Sequence, residues 1–448
     1  MVFMDNRDYE LIIVGGGITG AAVLYAVSAY TNVSKVLLIE KYEDIATLNS
    51  NSKSNSQTLH FGDVETNYSL KKAEEARGEA RRVLRYMSLL DKNERERTIR
   101  ACQKMVLGVG DEESEALERT YHSGIRRLFP GLQILYRDGL ERVEPNTVKG
   151  RDKDESVTAL LSDSGYMVDF ERLARSFVSK ALDNKRRGKE VALMFNTRVV
   201  KLEEKHGVYR LTTTKGEFRA KFVVFATGSY SLLFAKMLDF EKNLSIISVG
   251  GDYFISKKML RGKVYRVQKG GIPFAAVHAD PDIRNEKITR YGPTATIPLK
   301  LEKRGSTALD YIRSFNYDIK TLETITKVLG NEDILRILET NFVYGLPVVG
   351  KRWFFQNEVR KIIPSIKYEH LYYQRGMGGI RPQIVDENTK SFFVGASKLY
   401  DHNAIFNITP SPGASSALES GIEDMKYIAR ALDLRINASK FDRELGLD

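Results

Sequence analysis

The chain has 448 residues, 42% of them apolar and 28% charged, which is long enough for two hydrophobic cores and excludes a disordered or fibrous protein. A net charge of +11 points to an anionic partner, with nucleic acid, anionic lipid and a dicarboxylate all fitting. Cys102 is the only cysteine, which excludes a disulfide or a thiolate metal site and suits a reducing compartment.

The chain opens on polar residues without a signal-peptide pattern, and no apolar run approaches the roughly 18 residues of a membrane span. The expected location is cytoplasmic, with room for a peripheral membrane contact. The apolar run Leu11 to Val14 ends in glycines, a helix-forming run from Ala21 to Tyr30 follows, and a second apolar run, Lys35 to Ile39, stops at Glu40. Strand, G-x-G-x-x-G, helix, strand and acid therefore stand in order, with Glu40 twenty residues after Gly20. This spacing predicts a dinucleotide site. Gly15 makes the tight turn, Gly17 admits a pyrophosphate, and Gly20 lets helix and strand pack. The pyrophosphate sits at the helix N-terminus beside Ile18 and Thr19, and Glu40, next to Lys41, takes the ribose hydroxyls.

The polar stretch from Leu48 to His60 reads either as a Ser/Asn loop or, in an FAD protein, as the loop beneath the flavin, with Ser54 and Asn55 at the cofactor. From Ser69 to about Lys104 the spacing predicts a charged helix with the apolar stripe Leu70, Ala73, Ala76, Ala80, Val83, Leu84 and Met87. Eleven Lys or Arg against six Asp or Glu between Lys71 and Lys104 suit a solvated face, or an RNA or lipid footprint. Gln103 to Gly110 reads as a strand returning to the sheet, and Glu112 to Leu128 as a helix. Another helix, from Phe170 to Asp183, has Asp169 as its N-cap. Strands follow over Val191 to Phe195, Thr197 to Glu203 (with Val199 beside the cofactor) and Val208 to Thr213. Phe218 to Ala220 then leads into Lys221 to Phe225, closing on Ala226-Thr227-Gly228. An apolar strand ending in Ala-Thr-Gly is common in two-dinucleotide-fold FAD proteins and moves the expected cofactor from NAD to FAD, with Thr227 and Gly228 as contacts.

Residues 246 to 296 alternate like an antiparallel substrate sheet, with Phe274 to His278 as one strand. Asp310 to Val343 reads as helical. Lys351-Arg352-Trp353-Phe354-Phe355, with Tyr368, Leu371, Tyr372 and Tyr373, reads as core with a basic rim or as an interfacial membrane contact. In the tail, Gly379 precedes Ile380-Arg381-Pro382, Phe392 to Gly395 forms a strand, and Pro412-Gly413-Ala414 opens a closing helix at the flavin. The expected class is α/β, a Rossmann-like FAD-binding domain (1–75, 150–245 and 375–448) with an inserted antiparallel substrate domain (76–149 and 246–374).

Taken together, these motifs resemble the D-amino-acid-oxidase-like FAD superfamily. Within it, Lys53 to Thr58, Phe274 to Asp282 and Thr409 to Ala414 resemble FAD-dependent malate:quinone oxidoreductases, in the shorter form of epsilon-class proteobacteria. The resemblance implies oxidation of (S)-malate to oxaloacetate, electrons passing through FAD to a quinone, and a peripheral position on the inner face of the cell membrane. Rival readings are an L-2-hydroxyglutarate dehydrogenase or oxidase and, more remotely, a tRNA-binding FAD protein.

Oxidising a 2-hydroxy dicarboxylate needs a base for the hydroxyl proton and cations for the carboxylates. Three of the six histidines lie in segments near the flavin: His278, first choice for the base, then His402, then His60. Arg381 is the expected bidentate carboxylate clamp, with Arg290, Gln57, Thr58 and Thr294 as further substrate contacts. No metal set is expected.

Overall fold

The computed structural model describes residues 7–183, 188–241, 243–268, 276–316, 323, 344, 349–389, 391–393, 397–408 and 413–447. Strand β1 (Asp8–Val14) carries Leu11, Ile12 and Ile13 with no exposure, the burial on both faces that a continuous apolar run requires. It pairs in parallel with β2 (Lys35–Ile39) on one side and with Gly216–Phe225 on the other. Glu190–Met194 and Ala404–Ile408 extend this parallel core, so five carboxyl ends point the same way. Antiparallel strands Val199–Lys205, Val208–Thr213 and Ser397–Asp401 complete the eight-stranded sheet.

Helix α1 (Ile18–Tyr30) is apolar all round and buries every residue but Ala29, which makes it an interior helix rather than an amphipathic one. The helices Phe170–Asp183 and Gly413–Ala431 enclose it. Gly421 is the crossing point: a Cβ there would lie 2.8 Å from the Ala22 carbonyl carbon. Asp169 caps Phe170–Asp183 as expected, its Oδ1 accepting from the Arg172 N–H at 3.1 Å.

A second eight-stranded sheet holds Lys104–Val109, Gln133–Tyr136, Val157–Ser162, Phe254–Lys257, Lys263–Arg266, His278–Pro281, Ile288–Gly292 and Tyr372–Tyr373. The strand expected over Gln103 to Gly110 is here, parallel to Lys263–Arg266 and antiparallel to Val157–Ser162, rather than beside β1. Full burial of Lys104–Val109 marks a central strand of either sheet, so the pattern alone did not choose between them.

The predicted charged helix divides. Helix α2 (Leu70–Met87) buries Ala73, Ala76, Ala80 and Val83 as the stripe predicts, and Asp91 then caps a separate helix, Lys92–Thr98. The helix expected over Glu112–Leu128 breaks at Gly124, whose φ of 108° no right-handed turn accommodates. Of the helix expected over Asp310–Val343, a turn at Ala308–Arg313 is described, closed by a Thr307–Asp310 capping box. Apart from Glu323, residues 317–343 lie outside the described residues. The same holds for Phe274 and Ala275 of one predicted strand and for 394–395 of another.

Candidate active site

The carboxyl ends of β1, β2 and Gly216–Phe225 open onto a cavity of about 900 Å³, near the top of the usual range of ~300–1,000 Å³ for ligand sites. Its walls include Gly15, Gly17, Ile18 and Thr19 at the start of α1, Glu40 and Lys41 after β2, and Val199, Thr227 and Gly228 opposite. The glycines divide by role. A Cβ on Gly15 or Gly20 would overlap the Ala226 or Gly15 carbonyl oxygen, so the chain itself demands both. Gly17 has ordinary clearance, 3.4 Å to Ser50 Oγ, and its bare face borders the cavity. Glu40 is buried, and its two oxygens accept from Gly16 N–H at 2.6 Å and Tyr42 N–H at 2.9 Å, fixing it at the rim. A helix N-terminus, a glycine without a packing reason and an anchored acid suit a dinucleotide's pyrophosphate and ribose.

The stretch from Asn49 to His60 is an ordered strap across this cavity. Ser50 Oγ accepts the Ile18 N–H at 2.9 Å, and Asn55 Nδ2 donates back to Asn49 O and Asn51 O at 3.1 and 2.9 Å. Ser54 O accepts from Arg381 at 3.2 Å, Ser56 O from Lys263 at 2.8 Å, and Thr58 Oγ1 bonds the Tyr265 hydroxyl. Gly379 packs beneath it: a Cβ there would sit 2.8 Å from Asn49 Oδ1. Sequence reading missed Ser50, Tyr265 and Lys263, because their partners lie far apart in the chain.

His60 and Arg381 both line the cavity, with Thr58, Asn55, Gly413 and Ala414. The His60 N–H donates to Ser415 Oγ at 3.1 Å, anchoring it to the closing helix, and its Nδ1 lies 2.7 Å from Glu65 Oε1. Burial alone would raise the Glu65 carboxyl; Lys104 and His60 outweigh it and hold Glu65 below the usual carboxylate range. Glu65 is therefore an acceptor, and His60 Nδ1 carries the hydrogen between them. Arg381 is half-buried at the cavity wall, and desolvation lowers its pKa, with Tyr253 partly offsetting. It meets no carboxylate among the described residues. A partly desolvated cation without a counter-charge is costly, and a substrate carboxylate would supply one.

A family model for FAD dependent oxidoreductases matches residues 10–421. The chain is 34% identical to the probable malate:quinone oxidoreductase of Campylobacter jejuni, over 99% of this chain and 100% of that one. It is equally identical to the malate:quinone oxidoreductase of Helicobacter pylori, over 98% of both. The chain belongs to the malate:quinone oxidoreductase family. Human mitochondrial L-2-hydroxyglutarate dehydrogenase is 25% identical, over 92% of this chain and 87% of its own. Among solved structures, FAD-bound L-alpha-glycerophosphate oxidase of Mycoplasma pneumoniae aligns with a TM-score of 0.62 at 16% identity, over 96% of both chains. Glycine oxidase of Geobacillus kaustophilus gives 0.64 at 16% identity, over 95% of both, so the fold is that of these oxidases.

Several residues expected at the site of this malate:quinone oxidoreductase family member lie elsewhere. His278 is sealed in the second sheet, its Nδ1 2.5 Å from Asp280 Oδ2 and its ring against Tyr265, because residues two apart on a strand share a face. Arg290 is fully buried between Asn55 O at 2.7 Å and the Tyr253 ring at 4.5 Å, with Asp282 3.5 Å away. Gln57 bridges Ser52 O and Asp282, and Thr294 Oγ1 accepts the Asp252 N–H at 3.1 Å. None of these four borders the cavity. His402 occupies the tip of the hairpin between Ser397–Asp401 and Ala404–Ile408, at φ 40°, with 95% of its side chain exposed. Lys41 borders the cavity but is paired with Glu302 at 2.5 Å, while Gly20, Ser54 and Gly379 act through packing and backbone. Pro412 lies outside the described residues. No metal-binding cluster occurs among the described residues.

Proposed function

We infer that the chain oxidises (S)-malate to oxaloacetate with FAD as the cofactor and a quinone as the electron acceptor. The observation that carries this reading is the pairing of His60 and Arg381 on the cavity of a malate:quinone oxidoreductase family member. Bound FAD would supply the hydride acceptor and the route for electrons to the quinone. Gly17, the start of α1 and Glu40 would hold its pyrophosphate and ribose. Arg381 anchors a malate carboxylate and so fixes the hydroxyl-bearing carbon. His60 accepts the hydroxyl proton at Nε2 while its Nδ1–H stays on Glu65. The first sheet with α1 forms the cofactor unit, and the second sheet the substrate unit. That division moves Val157–Ser162 to the substrate side, since it pairs there.

We propose also that one face rests on an anionic membrane. Trp353, Tyr372 and Tyr373 are 52%, 59% and 53% exposed, beside exposed Arg352, Lys367 and Arg375, whereas Phe354, Phe355 and Leu371 of the same segments are core. Aromatic rings with cations suit a lipid interface, and no described helix is long and apolar enough to cross one. Basic helix α2 suits an RNA footprint less well, because Arg82 is tied to Glu419 and Leu445 O and Arg85 to Arg443 O.

The deciding experiment is an anaerobic visible spectrum before and after L-malate. Bleaching with L-malate but not D-malate supports the reading. Bleaching only with L-2-hydroxyglutarate transfers the substrate assignment, and a protein that takes up no FAD overturns it. Flotation with phosphatidylglycerol vesicles, lost on Trp353→Ser with Tyr372→Ser, tests the membrane face.

A further inference from the structure

Behind His60 lies a buried charge cluster whose members Glu65, Asp63 and Lys104 do not line the cofactor cavity. Glu65 Oε1 is 2.7 Å from His60 Nδ1 and 3.8 Å from Lys104 Nζ. Lys104 itself is fully buried on its strand and donates to Asp63 Oδ1 at 2.6 Å, and Ser162 Oγ donates to the other Asp63 oxygen. Two carboxylates on one lysine leave the cluster one negative charge in excess, and His60 is the group placed to respond to it. Glu65 Oε2 has no hydrogen-bond partner among the described residues, and Glu65 borders a second cavity of about 300 Å³ with Asp63, Thr66 and Ser123. Glu65 Oε1 is thus the carboxylate oxygen committed to the imidazole.

We propose that Glu65, held in place by Lys104, is the positioning residue that fixes the His60 tautomer and stabilises the imidazolium formed as malate gives up its hydroxyl proton. This rests on His60 being the base. One proton moves from the substrate oxygen to Nε2; Nδ1 keeps its own, and the new positive charge lies against Glu65. A carboxylate behind a histidine does the same in metal and hydrolase sites, where removing it costs about 10–100-fold or more. The other groups facing His60 or Glu65 are Lys104 and Asp63 from the cluster, Tyr265 with its ring 6.4 Å from the imidazole, and Tyr68. Neither tyrosine supplies a charge near neutral pH, because burial raises both phenols.

The test compares Glu65→Gln, Glu65→Asp and His60→Ala by anaerobic stopped-flow flavin reduction from pH 5 to 9, with FAD retention as a separate readout. Glu65→Gln should keep FAD, slow reduction by about 10–100-fold and move the acid limb of the pH profile lower, with Glu65→Asp recovering part of the rate. Wild-type rate and pH profile in Glu65→Gln, with His60→Ala slow, would overturn the positioning role alone. Normal reduction in His60→Ala would instead remove the base reading beneath it. A second measurement needs no variant: ¹⁵N-histidine spectra of the wild-type protein should show His60 protonated at Nδ1, and a proton on Nε2 instead would refute the proposal.

Discussion

Two trios in this molecule share a composition and differ in position. His60, Glu65 and Lys104 form one; His278, Asp280 and Lys263 form the other, with Lys263 Nζ 3.3 Å from Asp280 Oδ1. In the second trio burial dominates and lowers His278, against the pull of Asp280. Every member is enclosed, and Tyr265 and Tyr253 cover the ring. In the first, His60 presents one edge to a carboxylate and borders the cofactor cavity with the rest. Two arginines repeat the contrast: fully buried Arg290 faces Asp282 and backbone oxygens, whereas half-buried Arg381 meets, among the described residues, a single backbone oxygen and borders the cavity. A histidine–carboxylate pair is thus no mark of catalysis by itself. The side with an open edge and an uncompensated charge is where we place the substrate.

Crossing the two sides gives the largest expected effects. His60→Ala should slow malate-dependent flavin reduction by about 10²–10⁴-fold with FAD retained, the range for losing a general base. His278→Ala should leave the reduction rate of the loaded protein within a few-fold and cost on the order of 2–4 kcal/mol in urea unfolding, since it opens a cavity beside a buried acid. A slow His278→Ala alongside a normal His60→Ala would invert the comparison. For the arginines, Arg381→Ala should weaken turnover by roughly 30–1,000-fold, equivalent to ~2–4 kcal/mol for one desolvated charge contact, without loss of FAD. Arg290→Met should act on stability first; equal kinetic damage from both would merge the two roles.

The nucleotide half of the site was legible because its determinants are local. Gly15, Gly17, Gly20 and Glu40 stand at fixed spacings within one strand–helix–strand unit, and each has its physical reason within a few residues. The parallel strand ending at Ala226-Thr227 read correctly for the same reason. The substrate half was not local. Whether His278 faces a cavity depends on strand register, where one residue reverses the face, and on what covers that face. Tyr265 does so from the neighbouring strand, and Tyr253 from the segment just before Phe254–Lys257. His402 sits beside a strand leading to the flavin-side helix, but a two-residue hairpin turns it outward. Ser50 as the partner of Ile18, and Glu65 as the partner of His60, read only as polar residues in a loop.

The same division applies within the glycine motif. Gly20→Ala should not give folded protein, because its Cβ would overlap the Gly15 carbonyl oxygen where helix and strand cross. Gly17→Ala should fold with a thermal midpoint close to wild type yet purify largely without FAD, its methyl group standing where a pyrophosphate would approach. Equal FAD content in Gly17→Ala and wild type would place the pyrophosphate elsewhere along α1.

The smallest effect concerns acid. Burial pushes Asp280 up, but His278, Lys263 and Arg290 together bring it down to about 2, against ~3.9 in an unfolded chain. A depressed carboxylate contributes stability that is present above the unfolded value and lost as pH falls through the folded one. Below about pH 4 the unfolded chain takes up a proton that folded Asp280 refuses until about pH 2. Glu65 is shifted in the same direction, so both trios lose stability in the same acid window, and total unfolding cannot separate them. Asp280→Asn can. It should flatten the acid limb of stability between about pH 4 and pH 2 while leaving the pH profile of flavin reduction unchanged, whereas Glu65→Gln should move that profile as well. If Asp280→Asn shifted the reduction profile, the sealed trio would be in electrical contact with the substrate, and the contrast between the two would fail.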